Sequence, residues 1–330
     1  NSYFTSVYCY DTPLDTWAMD LLGVAMRTNN TLTHICFISC GISDASSLFD
    51  GLSQNPNQRI NIIELAKNPL NEKTMTAMAS CLSVGAYSTP TTGHGLKVLN
   101  LSDCDISTKG MATLFNALNA NVQLTLSIEE LYVGGNNIGD SGSASIMSTL
   151  TKVKSYWRLQ RLSLAGSSPN FTTLVANLVN ISMSLKWLDL SNCKVAEVQI
   201  PVLDILIPSF KQENTDLLDT FYLGLSNCGL NSTMVGVFIK ALNRASFLHR
   251  VRLDLSKNEI GSGTIAPFLT DLRENTNIVH LSLADNKLKF KLSCDILASL
   301  PSQLEHLDMS DNVGSNDSAA EFVQKAGEYV

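Results

Sequence analysis

The side chains best equipped for chemistry are eight Cys and five His in a chain of 330 residues. His34, Cys36 and Cys40 lie close enough in sequence to suggest a metal site, since imidazole and thiolate are the usual zinc ligands. Strand alternation argues against it. It predicts His34 and Cys36 on the outward face and Cys40 on the inward one, so the three do not converge on one ion. Gly134-Gly-Asn-Asn-Ile-Gly139 is glycine-rich, but the Gly-Lys-Ser/Thr of a phosphate loop does not follow it. No Gly-x-Ser-x-Gly nucleophile elbow is present. The carboxylates Glu129, Glu130, Asp189, Asp254 and Asp308 are spread along the chain rather than gathered. The expectation is a non-enzymatic protein with no metal and no cofactor.

What positions these residues is a repeat. The pattern Leu-x-x-Leu-x-Leu-x-x-Asn/Cys-x-Leu recurs along the chain. Its clearest copies are Leu96-Lys-Val-Leu99-Asn-Leu101-Ser-Asp-Cys104-Asp-Ile106, Leu185-Lys-Trp-Leu188-Asp-Leu190-Ser-Asn-Cys193-Lys-Val195 and Ile278-Val-His-Leu281-Ser-Leu283-Ala-Asp-Asn286-Lys-Leu288. Further anchors fall at Cys40, Asn68, Asn136 and Asn312, with modified copies at Cys228 and Asn258. Ser167 anchors a degenerate copy, and Thr12 a worn first one. Anchor spacings run 28, 28, 36, 32, 31, 26, 35, 30, 28 and 26, which makes eleven units.

Leu-x-Leu has period 2 and predicts a short strand with one face buried. The anchor then turns inward, where an Asn amide can both donate to and accept from backbone groups and so build a ladder between units. Cys fills the same place as a small, weakly bonding residue. The remainder of each unit is expected to be helical. Met111, Leu114, Phe115 and Leu118 in Thr108–Leu118, and Ile265, Phe268, Leu269 and Leu272 in Thr264–Leu272, fall at i, i+3, i+4 and i+7. The predicted fold is α/β: a leucine-rich repeat solenoid, or horseshoe, with parallel strands on a concave face and helices on the convex face. Residues 1–330 form a single such domain. The copies at Cys228 and Asn258 add one alternating pair, which predicts strands two residues longer. Ser83–Gly95 and Pro208–Asp216 are expected to be surface loops.

Composition limits function. Acidic residues outnumber basic ones 30 to 23, a net charge of −7 that argues against a nucleic-acid groove. No apolar run reaches the roughly 18 residues of a membrane span. Four Cys are ladder anchors, and neither end shows clustered Cys, so a reduced, cytosolic compartment is expected. Asn170 and Asn180 match the glycosylation sequon, which carries no weight in that compartment. The chain starts with neither Met nor a leader pattern and is expected to be a piece of a longer multidomain protein. Further chain is expected to cover Phe4, Val7 and the Tyr8–Tyr10 strip, and Ser318–Val330 is expected to form a helix with Phe322 on its apolar side.

Binding is the remaining function. One outward strand position reads Glu130, Arg161, Trp187, Tyr222, Arg252, His280 and His306 along the later units. A second adds Tyr132, Asp189, Asp254 and Asp308. Trp, Tyr and Arg are the types that dominate interface energetics. The candidate face is therefore Tyr132, Arg161, Trp187, Asp189, Tyr222, Arg252, Asp254, His280 and His306. A partner surface elsewhere on the chain, or no direct partner, remains open.

Several stretches resemble the repeats of the CARMIL actin regulators. They are Phe4-Thr-Ser-Val-Tyr-Cys9, Asn55-Pro-Asn57, Leu65-Ala-Lys-Asn-Pro-Leu70, Gly95-Leu-Lys-Val-Leu-Asn-Leu-Ser102, Val251-Arg-Leu-Asp-Leu-Ser-Lys-Asn-Glu-Ile-Gly-Ser-Gly263 and Leu281-Ser-Leu-Ala-Asp-Asn-Lys-Leu288. They occur in the family's order over nearly the whole chain. The resemblance implies a protein-interaction scaffold at an actin-rich cell cortex, with actin-regulatory partners, a link to capping-protein regulation, and self-association through flanking regions. The chain carries no capping-protein motif, so the resemblance implies positioning rather than direct inhibition. The competing readings are the ligand-sensing repeats of an innate-immune-type receptor or secreted effector, and a ribonuclease-inhibitor-like blocker. The mixed charge of the outward columns argues against the blocker.

Overall fold

The computed structural model describes residues 4–84, 95–153, 157–167, 184–193, 220–244 and 249–312, with Gln324 and Gly327. The expected loop interior at 85–94, the Pro208–Asp216 insertion, both sequons and Phe322 lie outside these residues. The chain divides into two units, Asn1–Ser184 and Leu185–Val330.

Unit 1 alternates strand and helix: β1 Ser6–Tyr10, α1 Thr16–Met26, β2 His34–Ile38, α2 Ser46–Ser53, β3 Ile62–Glu64, α3 Glu72–Val84, β4 Val98–Asn100, α4 Thr108–Ala120, α5 Val122–Ser127, β5 Glu130–Tyr132, α6 Gly139–Val153 and β6 Arg161–Ser163. Its strands pair in parallel with their sequence neighbours from β1 to β6. Unit 2 contains β7 Trp187–Asp189, β8 Phe221–Gly224, α7 Ser232–Arg244, β9 Val251–Asp254, α8 Ile265–Arg273, β10 Ile278–Ser282, α9 Phe290–Leu297 and β11 His306–Asp308. These strands are likewise parallel and consecutive.

The core is made by the inward residue of each strand and the apolar stripe of each helix. Leu99, Leu131 and Leu162 are buried in unit 1, as are Leu188, Leu223, Leu253 and Leu281 in unit 2. Met111, Leu114, Phe115 and Leu118 of α4 are buried as their spacing requires. In α8 only Phe268 and Leu272 are buried, while Ile265 and Leu269 lie half-exposed. The lengthened strands also fall short of expectation. β8 and β9 have four residues against three in β7, a gain of one rather than two. The extra pair is Phe221 opposite Val251, and β7, starting at Trp187 opposite Tyr222, offers no strand residue to extend it.

Each Asn anchor closes a turn and joins it to the preceding one. Asn68 Nδ2 donates to the carbonyls of Leu65 and Ala66 in its own turn and to Phe37 in the preceding unit. Its Oδ1 accepts from the Cys40 and Ile42 amides. Asn136, Asn258 and Asn312 repeat the scheme, and Asn286 accepts from Ile260 and donates back to Leu255. The Cys104 thiol donates to the Leu65 carbonyl at 3.0 Å and the Cys228 thiol to Leu190 at 3.3 Å. Cys193 is buried at the same station. Burial pushes the Cys104 and Cys228 thiols up to about 12.

The residue before every anchor is left-handed. Asp11, Ser39, Lys67, Asp103, Gly135, Gly166, Asn192, Asn227, Lys257, Asp285 and Asp311 have φ between 49 and 69°. This marks the worn copy at Thr12 and the degenerate one at Ser167 as full members of the series. Asp, Asn and Gly tolerate that conformation; Lys67 and Lys257 adopt it at a cost that the anchor bonds offset.

Candidate protein-binding face

The outward strand columns are those the repeat register predicts. In unit 1, Ile62, Val98, Glu130 and Arg161 lie in successive register, beside the column Glu64, Asn100, Tyr132 and Ser163. In unit 2, Trp187, Tyr222, Arg252, His280 and His306 align, and so do Asp189, Gly224, Asp254, Ser282 and Asp308.

The unit 1 candidates bond to one another. The Tyr132 hydroxyl donates to Glu130 Oε2 at 2.6 Å, and Arg161 Nε lies 3.7 Å from Glu130 Oε1. Burial, then the Glu130 carboxylate, raises the Tyr132 pKa. Cys36 stands in the outward column between Tyr8 and Glu64, yet it is fully buried. Its thiol contacts the Tyr10 hydroxyl at 3.4 Å, and burial pushes its pKa up to about 11. The aromatic rings beside it, Tyr8 stacked on Tyr10 at 6.4 Å, are the reason. Among the described residues no cluster of His, Cys, Asp or Glu could hold a metal ion.

Unit 2 carries the more open arrangement. Trp187 and Tyr222 stack with ring centroids 5.3 Å apart and planes 13° from parallel, which leaves each half-exposed. Asp189 Oδ1 accepts from the Ser191 amide at 3.0 Å, and Asp254 Oδ1 from the Ser256 amide at 2.9 Å, so each carboxylate is fixed by its own turn. Among the described residues neither takes part in an ion pair. Burial, then Asp254 and Asp189, raises the Tyr222 pKa, which places its hydroxyl in their field. The residue between these carboxylates is Gly224, where a Cβ would lie 2.5 Å from Asp189 Oδ1 and 3.0 Å from Tyr222 Oη. Gly224 is buried, and the Asp189 carboxylate, Ser191 hydroxyl and Tyr222 hydroxyl fill the space a side chain there would need, a closeness whose one signal in the sequence is a glycine in a column of side chains.

Beyond β8 the face carries charges of both signs. Arg252 is exposed, and His280 and His306 sit ring to ring at 5.5 Å. Arg250 pairs with Glu305 at 2.7 Å, and His280 lies 3.8 Å from the same carboxylate. Burial, Arg252 and His306 hold His280 below the usual imidazole range against the pull of Glu305. Ser310 and Ser282 hold Asp308 low through hydrogen bonds. Of the predicted face, the structure therefore groups Trp187, Asp189, Tyr222, Arg252, Asp254, His280 and His306 on unit 2, and places Tyr132 and Arg161 on unit 1.

A leucine-rich repeat family model matches residues 95–115 and 126–147. An internalin of Listeria monocytogenes superposes with TM-score 0.50 at 14% identity, over 98% of this chain and 78% of the internalin. The leucine-rich repeat-containing protein LegL7 of Legionella pneumophila gives TM-score 0.50 at 12% identity, over 98% of both chains. The fold is a leucine-rich repeat solenoid. Two relatives from Dictyostelium discoideum extend the likeness at sequence level. The Rho GTPase-activating protein gacW is 25% identical over 98% of this chain and 31% of its own length. Protein CARMIL is 24% identical over 87% of this chain and 26% of its own length. The repeats are thus similar to those of both relatives, and the chain spans less than a third of either. No helix among the described residues is long and apolar enough to cross a membrane.

Proposed function

We propose that this chain is a non-catalytic protein-docking region of an actin-regulatory protein, and that the strand face of unit 2 is its docking surface. The observation that carries the reading is the stacked Trp187–Tyr222 pair beside two carboxylates outside any ion pair of the described residues. Aromatic anchors of this kind supply most of the free energy of an interface. The likeness to CARMIL supports a cytoplasmic, cortical setting with actin-regulatory partners, residues 1–330 acting as one solenoid that positions the rest of a longer chain, and self-association through flanking regions. A second reading, docking within a Rho GTPase pathway, is favoured by the likeness to gacW, which covers more of this chain.

The test is capture from an extract of actin-rich cells with the full chain and with Trp187→Ala/Tyr222→Ala, after circular dichroism shows both folded. The expected result is a set of actin-regulatory proteins that the double variant loses. Rho-pathway proteins in that set select the second reading, and an unchanged set overturns the docking surface.

A further inference from the structure

We infer that the outward face of α1 is a self-association surface, on which a second copy of this chain packs its own α1 antiparallel about a two-fold axis at Leu21. Met19, Gly23 and Met26 of α1 are buried. Trp17, Leu21 and Val24, at i, i+4 and i+7, lie on the opposite side of the helix and are 68, 51 and 60% exposed. No other helix among the described residues leaves large apolar side chains this open. The outer face of α3, by contrast, carries Glu72, Lys73 and Thr76. An apolar stripe on the solvent side of a helix marks a contact rather than a solvated face. It lies on unit 1 and does not depend on the docking face of unit 2.

The charges identify the occupant. Asp15 at the N-cap and Arg27 at the C-cap are both exposed and stand equally far on either side of Leu21, about 18 Å apart along the axis. A two-fold axis at Leu21 therefore sets Asp15 of each copy beside Arg27 of the second copy, at both ends at once. It also lays the two helix dipoles antiparallel. The same register sets Trp17 against Ala25 of the second copy and Val24 against its Ala18, a large side chain beside a small one each time. Asp20 stays clear of this contact, because the Ser47 hydroxyl of α2 donates to it. An anionic lipid surface is the poorer occupant, since the chain's net charge is −7 and Arg27 is the one basic residue of the helix and its caps. One helix pair buries less than the about 800 Å² per partner of a standard interface, so the dimer is weak, with a dissociation constant on the order of 100 µM.

Sedimentation equilibrium of the full chain, from well below that concentration to several times it, should show a monomer–dimer equilibrium. Leu21→Asp puts two carboxylates at the axis and should weaken the dimer by about tenfold or more. Arg27→Glu removes both end pairs and should weaken it severalfold. Both positions are exposed, so circular dichroism and urea midpoints of these variants should match the parent chain. Leu21→Cys brings two thiols to the axis, and a short bismaleimide should link them into a covalent dimer. Lys73→Cys, on the outer face of α3, is the control and should stay monomeric under the same reagent. A chain that is monomeric over the whole range overturns the inference and leaves the stripe to a different protein. A dimer that Leu21→Asp leaves unchanged also overturns it, by placing self-association elsewhere on the chain.

Discussion

At the scale of the residue, one ladder position accepts two chemistries at unequal strength. Asn136 accepts from the amides of Cys104 and Ile106 and donates to the carbonyls of Leu101, Val133 and Gly134. Cys104 at the equivalent station donates to Leu65 and Ser102 through a weak thiol. Asn136→Ala strands buried backbone groups in two turns, and since each unsatisfied group costs about 1–3 kcal/mol, a loss of about 3–5 kcal/mol is expected. Cys104→Ala leaves a small void and fewer stranded groups, for about 1–2 kcal/mol. Urea unfolding of the two variants checks this order, and equal losses would contradict the account of the ladder.

At the scale of the element, contacts between neighbours decide more than the elements' own preferences. α1 and α2 cross at Gly23 and Gly51, where a Cβ on Gly51 would run into the Gly23 carbonyl and one on Gly23 into the Ser47 carbonyl. The Ser47 hydroxyl donates to Asp20 across the same junction. Alanine is the better helix former by about 1 kcal/mol, so an isolated α2 would gain from Gly51→Ala. In the protein the methyl has no room, and a net loss of about 1–3 kcal/mol is expected from overpacking. A rise in the urea midpoint would refute it. β9, β10 and β11 set a second element-scale property. Arg250, Arg252 and Asp254 on or next to β9, and Glu305, His306 and Asp308 on or next to β11, surround His280. Burial, Arg252 and His306 lower its pKa from the usual 6.5. A lowered folded pKa means that the unfolded chain binds the proton more tightly. The His280 contribution to stability is therefore complete above about pH 6.5 and lost as pH falls through the lower folded value. Stability measured by urea unfolding should drop across that window, and His280→Asn should flatten the drop. An unchanged slope in the variant would show that the imidazole is not responsible.

At the scale of the molecule, length stops being a constraint. A single core rarely grows past about 250–300 residues, but a repeat chain adds units that each contact only their neighbours. Among the described residues the large apolar side chains left exposed are Phe4, Tyr8, Tyr10, Trp17, Leu21 and Val24, on or just before the first strand and on the first helix. Trp17, Leu21 and Val24 form one stripe of α1, with Trp17 68% exposed. The face of unit 2 is different in kind, with a few half-exposed rings set among charges rather than an apolar stripe.

The sequence by itself determined the eleven-fold series, the strand direction of each Leu-x-Leu, the anchor stations and the outward columns. Residue type and period suffice there: burial selects Leu at alternate positions, and two turns' worth of backbone donors and acceptors select Asn. Tertiary structure decided what depends on a neighbouring unit. It buried Cys36 beside the tyrosines of β1 and gave β8 and β9 one residue more than β7 rather than two. It required Lys67 and Lys257 to take a left-handed turn that their type does not announce. It placed Gly224 between Asp189 and Asp254 only once β7, β8 and β9 were in register. Those residues lie about 30 positions apart in the chain, and their meeting is a consequence of register, which no local pattern encodes.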